Sequence, residues 1–285
     1  RFLGEHIGAL ADSAVYAIGG GVATVTASRL VAPDSANHLY YLRSEGTVTD
    51  PRTPQLPARR VVGTYAWHRR EPVPHLGALV ITGGALSIEN GAAVTGLDAS
   101  DASMCLGGGS AGTAGVATAG SVTTLSGGTY TGNPPSTQYA SGQDVYDAVG
   151  LRWEILTNPG FPVQFDGAPP DFGALPADSF PLVRYAGDLT ADAFWSGRGA
   201  LIVTGTFRPA SGFQWRGIIL AGRLGDVPDA ALPVIEGALV AGLGGPNPTV
   251  RIGSGTFAYH HCNVRRANRA LGYLEVLRNT EFEVS

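Results

Sequence analysis

The apolar positions of this chain follow two regimes that meet near residue 75. Before it, Leu3, Ile7, Leu10, Ala14 and Ile18 recur at steps of three or four, the stripe of an amphipathic helix over 1–18, with Glu5 and Asp12 off the stripe. Gly19, Gly20 and Gly21 stop that helix, because glycine tolerates the left-handed cap conformation. Strand patterns follow. Over 22–30, Val22, Thr24 and Thr26 alternate with Ala23, Val25 and Ala27; 39–48 carries Tyr40 and Tyr41 ahead of a turn at Gly46; 59–67 is rich in β-branched and aromatic residues. The Pro-bearing stretches 50–57 and 71–75 read as loops.

From Leu76 onward the pattern repeats. Gly77-Ala78-Leu79-Val80-Ile81-Thr82-Gly83 returns as Gly199-Ala200-Leu201-Ile202-Val203-Thr204-Gly205, then as Gly217-Ile218-Ile219-Leu220-Ala221-Gly222 and Gly237-Ala238-Leu239-Val240-Ala241-Gly242. The last three start 18 and 20 residues apart. Short apolar runs bounded by Gly at such spacing are the signature of a solenoid, each coil stacking on the next. Runs without strict alternation fit parallel strands covered on both faces. The expected fold is mainly β: a right-handed parallel β-helix over 76–285, with an N-terminal helix and small β module over 1–75. Ile202, Ile219 and Val240 are expected in one interior column, or within one residue of it. Further short strands are expected at 79–82, 85–88 and 92–97, at Val116, at 122–124 and at 129–130. Val145, Val149, Trp153 and Leu156 suggest a helix over 144–156, and the six prolines of 157–181 a crossing loop. Val264, Ala267, Leu271 and Leu274 suggest a helix over 263–277, capping the last coil.

Composition narrows the function classes. Gly 41 and Pro 19 exceed a fifth of the residues, yet hydrophobic content is 44%, so the chain has a core to bury. All 19 basic residues are Arg, which excludes a Schiff-base lysine and a phosphate-loop lysine. The net charge is −4 and the Arg residues are scattered, so no nucleic-acid footprint is expected. No run reaches the ~20 apolar residues of a membrane span. Neither a cofactor nor a metal is expected. His260-His261-Cys262, taken as a strand, points its histidines to opposite faces, whereas zinc needs three or four converging ligands. Asp98 and Asp101 sit among small residues, where an Asx turn is the simpler reading than a calcium loop. Parallel β-helices also host polysaccharide-active enzymes, for which Asp188 with Asp192, or Asp166 with Asp171, are the conceivable carboxylate pairs. No carboxylates recur at equivalent positions of successive coils, so the chain is read as non-enzymatic. Trp67, Trp153, Trp195 and Trp215 serve either a sugar-stacking face or the core.

Ala14-Val15-Tyr16-Ala17-Ile18 running into three glycines, Ala23-Thr24-Val25-Thr26-Ala27, Tyr41-Leu42-Arg43-Ser44-Glu45-Gly46-Thr47-Val48 and Ala58-Arg59-Arg60-Val61-Val62 together resemble the type IV pilus accessory (PilX-type) prepilin-like proteins. The remainder, with Phe213-Gln214-Trp215-Arg216 and Tyr259-His260-His261-Cys262, resembles the β-helical extensions that some of them carry. Glu5 echoes the early glutamate of pilins, but Gly4, His6, Gly8 and Asp12 make 1–18 too polar to span a membrane. The resemblance implies export to the cell surface or beyond, and in an exported chain the two cysteines, Cys105 and Cys262, are expected to form one disulfide. It also implies a structural role, as a subunit of a filament or pilus-associated assembly. The partners are then copies of the same chain, with Leu3, Ile7 and Leu10 at the contact. A carbohydrate-binding adhesin or polysaccharide-degrading β-helix, directed at surface glycans, is the alternative.

Overall fold

The computed structural model describes residues 11–18, 21–31, 37–48, 58–70, 73, 76–100, 112–277 and 279–283, and within them the protein is mainly β. In chain order the strands are β1 (Ala11–Ile18), β2 (Gly21–Val31), β3 (Asn37–Val48), β4 (Ala58–Arg70), β5 (Gly77–Ile81), β6 (Leu86–Ile88) and β7 (Ala93–Thr95). They continue as β8 (Ala114–Thr118), β9 (Val122–Thr124), β10 (Thr129–Thr131), β11 (Ser136–Gln138), β12 (Phe165–Asp166), β13 (Leu182–Tyr185) and β14 (Leu189–Ala191). The last are β15 (Gly197–Pro209), β16 (Gln214–Leu224), β17 (Val234–Ala241), β18 (Val250–Ile252), β19 (Thr256–Ala258), β20 (Gly272–Val276) and β21 (Phe282–Glu283). Among the described residues three α-helices accompany them: α1 (Gly142–Val149), the one-turn α2 (Trp153–Leu156) and α3 (His261–Asn268).

The chain divides into two compact units, residues 1–70 with 272–285 and residues 71–271. The first is an antiparallel sheet in the order β1-β2-β3-β4-β20, with β21 also paired to β4. Its middle strands match the strands expected at 22–30, 39–48 and 59–67. The helix expected over 1–18 is corrected where it is described. Residues 11–18 are β1, paired antiparallel with β2 from Ala11 opposite Ser28 to Ile18 opposite Gly21. A short helix standing alone is marginal in water, whereas β2 offers this segment an eight-residue ladder that suits Val15, Tyr16 and Ile18. Leu3, Ile7 and Leu10 lie outside the described residues. Tyr40 and Ala27 are buried with Tyr16, Val25 and Leu42 packed around them. Tyr41, Tyr65 and Phe282 form a second cluster with ring centroids 5.5–6.1 Å apart. His38 and His68, directly opposite on β3 and β4, are both buried with rings stacked at 6.1 Å.

In the second unit every strand pairing among the described residues is parallel. The Gly-bounded repeats lie side by side in register. Gly199, Gly217 and Gly237 are neighbours, as are Leu201, Ile219 and Leu239, and Ile202, Leu220 and Val240. On the far side of β17, Leu79 sits against Leu239, and Val116 against Leu79. These rows are fully buried. The reason for the repeated glycine is steric. A Cβ on Gly217, at φ +133°, would stand 2.1 Å from the carbonyl oxygen of Gly199, and one on Gly237 would stand 1.8 Å from that of Gly217. Each strand of this row therefore needs a glycine to lie down on the one before it.

The neighbours are not sequential. β5, β6 and β7, the first strands of this unit, lie between β17, β18 and β19 on one side and β8, β9 and β10 on the other. Both faces of the apolar strands are covered, as their continuous runs require. α3 packs on β15, β16 and β17, and α1 on β5 and β8. The helix expected over 144–156 is split. Gly150 takes the left-handed cap of α1 at φ 64°, so Val145 and Val149 are buried from α1, and Trp153 and Leu156 from α2. The helix expected over 263–277 ends at Asn268. Val264, Ala267 and Leu271 are buried, but residues 272–276 become β20 and pair antiparallel with β4. The C-terminal segment 272–285 thus belongs with the first unit's sheet rather than the parallel one.

Candidate functional site

Parallel strands in register place like positions about 4.8 Å apart, so surface side chains form rows as core ones do. One row runs Arg198, Arg216, Glu236, Ala258, Thr95, Thr131 across β15, β16, β17, β19, β7 and β10. Its charged half, together with Ser196, Gln214 and Val234, lines a shallow groove of about 330 Å³. Arg216 Nε meets Glu236 Oε2 at 3.0 Å. Arg198 donates instead to the carbonyls of Ser179, Phe172, Leu175 and Pro176 at 2.9–3.3 Å, and its guanidinium lies 5.8 Å from the Phe172 ring centroid. It therefore fixes the wall of the groove, while Arg216 and Gln214 stay exposed on its floor. Ser196 Oγ donates to Gly212 O and accepts from Gln214 N. Such a floor offers hydrogen-bond donors and one carboxylate to hydroxyl or acidic groups of a ligand.

A second constellation surrounds the start of α3. His260 is its N-cap, accepting a hydrogen bond from Asn263 N at Nδ1, and Ser100 Oγ approaches the same nitrogen at 3.0 Å. Because a backbone N–H can only donate, Nδ1 is the acceptor and Nε2 carries the proton. Ser100 Oγ in turn accepts from Cys262 N at 3.1 Å, and Asp98 Oδ1 accepts from both Ser100 N and His261 N at 3.0 Å. Asp98 thus makes the expected Asx turn and also caps the helix. His260-His261-Cys262 is not a strand but a helix start, so the opposite-face argument does not apply to it. Burial lowers the His260 pKa from its ordinary value, against the opposing pull of Glu236 and Asp98.

The other carboxylates named from sequence have local partners. Asp188 accepts from Thr206 N at 2.7 Å, which with Arg208 holds its carboxyl below the ordinary range. Asp192 caps the short turn Ala193–Trp195 by accepting from Phe194 N. Asp166 pairs with the buried Arg184 at 2.6 Å and Asp171 accepts from Gly173 N. Trp153, Trp195 and Trp215 are buried, and Trp67 is half-buried, so the indoles serve the core rather than a stacking face. Cys262 is buried and no described cysteine is a free thiol, whereas Cys105 and Asp101 lie outside the described residues. No described helix is long and apolar enough to cross a membrane. Sequence reasoning missed the groove, although Arg198, Arg216 and Glu236 each stand immediately before the first glycine of a repeat. No family model, curated protein or solved structure matches the chain.

The lowered His260 pKa means that the unfolded chain binds more protons below about pH 6.5. This contribution to stability is present above that pH and is lost as pH falls. Thermal melts between pH 7.5 and 5 are expected to show a smaller fall in Tm for His260→Asn, which keeps a capping side chain, than for the parent protein. Equal slopes would show that the imidazole does not carry the effect.

Proposed function

We propose that this protein is a secreted or cell-surface structural protein, a subunit that assembles with copies of itself, in which the second unit is a right-handed parallel β-helix. Three strand triplets support the solenoid: β17-β18-β19, β5-β6-β7 and β8-β9-β10 pair strand for strand, as successive turns of one coil do. The observation that carries self-association is that, among the described residues, β1 pairs with β2 alone and ends the first sheet. β1 is the end strand, eight residues long, without Lys or Pro, and Val15 on it is 68% exposed. Native proteins guard such edges with charge, proline or a bulge, because an unguarded edge templates another strand. Leu3, Ile7 and Leu10 precede this edge in sequence and are proposed as part of the same contact. Paired antiparallel with itself about Ala14 and Val15, β1 sets its one charge, Asp12, against Ala17. Export is supported by the resemblance to pilus accessory proteins. The groove at Arg216 and Glu236 favours a second reading, a glycan-directed β-helix.

Light scattering over a wide concentration range tests the joint. The parent protein is expected to rise in mass with concentration, and Val15→Lys to remain smaller. A parent that stays monomeric throughout contradicts the reading.

The Cys105–Cys262 disulfide is proposed with it. The clamp on Ser100 supports it, because Ser100 is bonded to the Cys262 backbone and Cys105 follows five residues later, within the ~17 Å reach of five extended residues. Closing so long a loop stabilises by roughly 4–5 kcal/mol in the chain-entropy model. Non-reducing peptide mapping is expected to find the two joined; two alkylatable thiols in the native protein would sink the pairing.

A further inference from the structure

The row that begins as Arg198, Arg216 and Glu236 ends as Ala258, Thr95 and Thr131. A second row runs Arg251, Ser87, Thr123 from β18 through β6 to β9. Charge is lost along both in the same direction, toward β9, β10 and β11. The loss is a property of a whole stretch of chain: from 102 to 143 there is no Asp, Glu, Lys, Arg or His. Among the described residues β9, β10 and β11 each pair with a strand on one side only, β6, β7 and β8 respectively. Their side chains are mostly exposed, and Thr131 Oγ1 donates to Thr95 Oγ1 at 3.0 Å. Pro134 and Pro135 stand in the connection between β10 and β11, which leaves the three strands themselves free of proline.

The strand at the other limit of the parallel order is guarded in the usual way. β12 holds Asp166, ion-paired with Arg184, and it lies within the proline-bearing segment 157–181, where Asp171 and Asp178 are exposed. The contrast is what edge protection predicts for one end that must stay solitary and one that must not.

We infer that the end formed by β9, β10 and β11 is a self-complementary interface on which a second copy of this chain stacks head to head. A copy of the same surface is the occupant that the lack of charge fits. Near the axis of a two-fold contact a group meets its own counterpart, so a charge there would meet its like, and β9, β10 and β11 carry none. Antiparallel pairing of β10 with itself about Tyr130 sets Thr129 of one copy against Thr131 of the other, continuing a hydroxyl row. An acidic or basic partner would instead leave charges facing an interface that cannot pair them. A head-to-head contact alone closes as a dimer. Together with the β1 contact it links each copy to two others, because the two two-fold joints lie on different strands of the subunit. The inference thus deepens the self-association reading, and rests on it for the β1 link only.

The test is analytical ultracentrifugation of the full chain. Thr124 and Thr129 are exposed on β9 and β10, so charges there leave the core untouched, and an unchanged melting profile confirms it. With the β1 joint blocked by Val15→Lys, the protein is expected to be a dimer. Adding Thr124→Arg and Thr129→Arg is expected to weaken that dimer at least about tenfold, as like charges across an interface do. The Thr124→Glu and Thr129→Glu protein is likewise expected to be monomeric alone, and an equimolar mixture of the two to form dimers again. If Val15→Lys alone gives a monomer, or if the charged variants remain dimeric, or if the mixture stays monomeric, the interface is not this end. If the parent is already a dimer that Val15→Lys leaves intact and the Arg variant splits, the end contact stands and the β1 joint falls.

Discussion

The structure of the second unit depends on how closely one parallel strand can lie on the next at the glycine row. At Gly199, Gly217 and Gly237 the backbone itself fills the space where a Cβ would go, and positive φ at Gly199 and Gly217 turns the chain there. Once that approach is fixed, the register is fixed. The apolar residues that follow each glycine then fall into common rows, and the residues that precede it, Arg198, Arg216 and Glu236, fall into one row on the surface. Core and groove are consequences of the same steric rule. Trp215 adds to it from inside, donating from Nε1 to the Gly199 carbonyl one strand away.

The same ladder explains why the unit has no simple sequential order. Strands β5, β6 and β7 are bonded on both sides, by β17, β18 and β19 and by β8, β9 and β10, so the earliest strands of the unit are interior ones. Contacts such as Leu239 with Leu79 span 160 positions of sequence. Closing such contacts orders a long stretch of chain before they stabilise anything, which makes folding of this unit slow and leaves strand edges open while it proceeds. The clamp of Asp98 and Ser100 on the start of α3 is a local device that joins two equally distant segments, and a Cys105–Cys262 bond would make that junction covalent.

Much of the local structure was legible in the sequence because glycine punctuation and apolar runs are local signals. The short strands at 79–82, 85–88, 92–97, 122–124 and 129–130 follow from them, and the expected column holds to within one residue: Ile202 and Val240 share a row with Leu220, while Ile219 stands in the row of Leu201 and Leu239. What was not legible depends on partners distant in sequence. Ala14 and Ile18 fit a helical stripe as well as a strand, and pairing with β2 decides for the strand. Gly272 onward continues an apolar period, yet β4 takes it as a sheet neighbour. The repeats say that like strands lie side by side but not which lies beside which, so nothing local shows that β17 meets β5. The groove was half legible, since its charged residues share one offset from the repeat glycines, but Arg198 is turned aside by the carbonyls of 172–179, a contact no periodicity encodes.

The central claim is the order of the parallel ladder, with the first strands of the second unit seated between the last and the middle ones. Methyl-to-methyl nuclear Overhauser effects in solution read it directly. The account predicts cross-peaks between Leu239 and Leu79, between Ile252 and Ile88, and between Leu79 and Val116, all in-register neighbours. Cross-peaks joining the β5 methyls to those of β13 in their place, with none to β17, would contradict it.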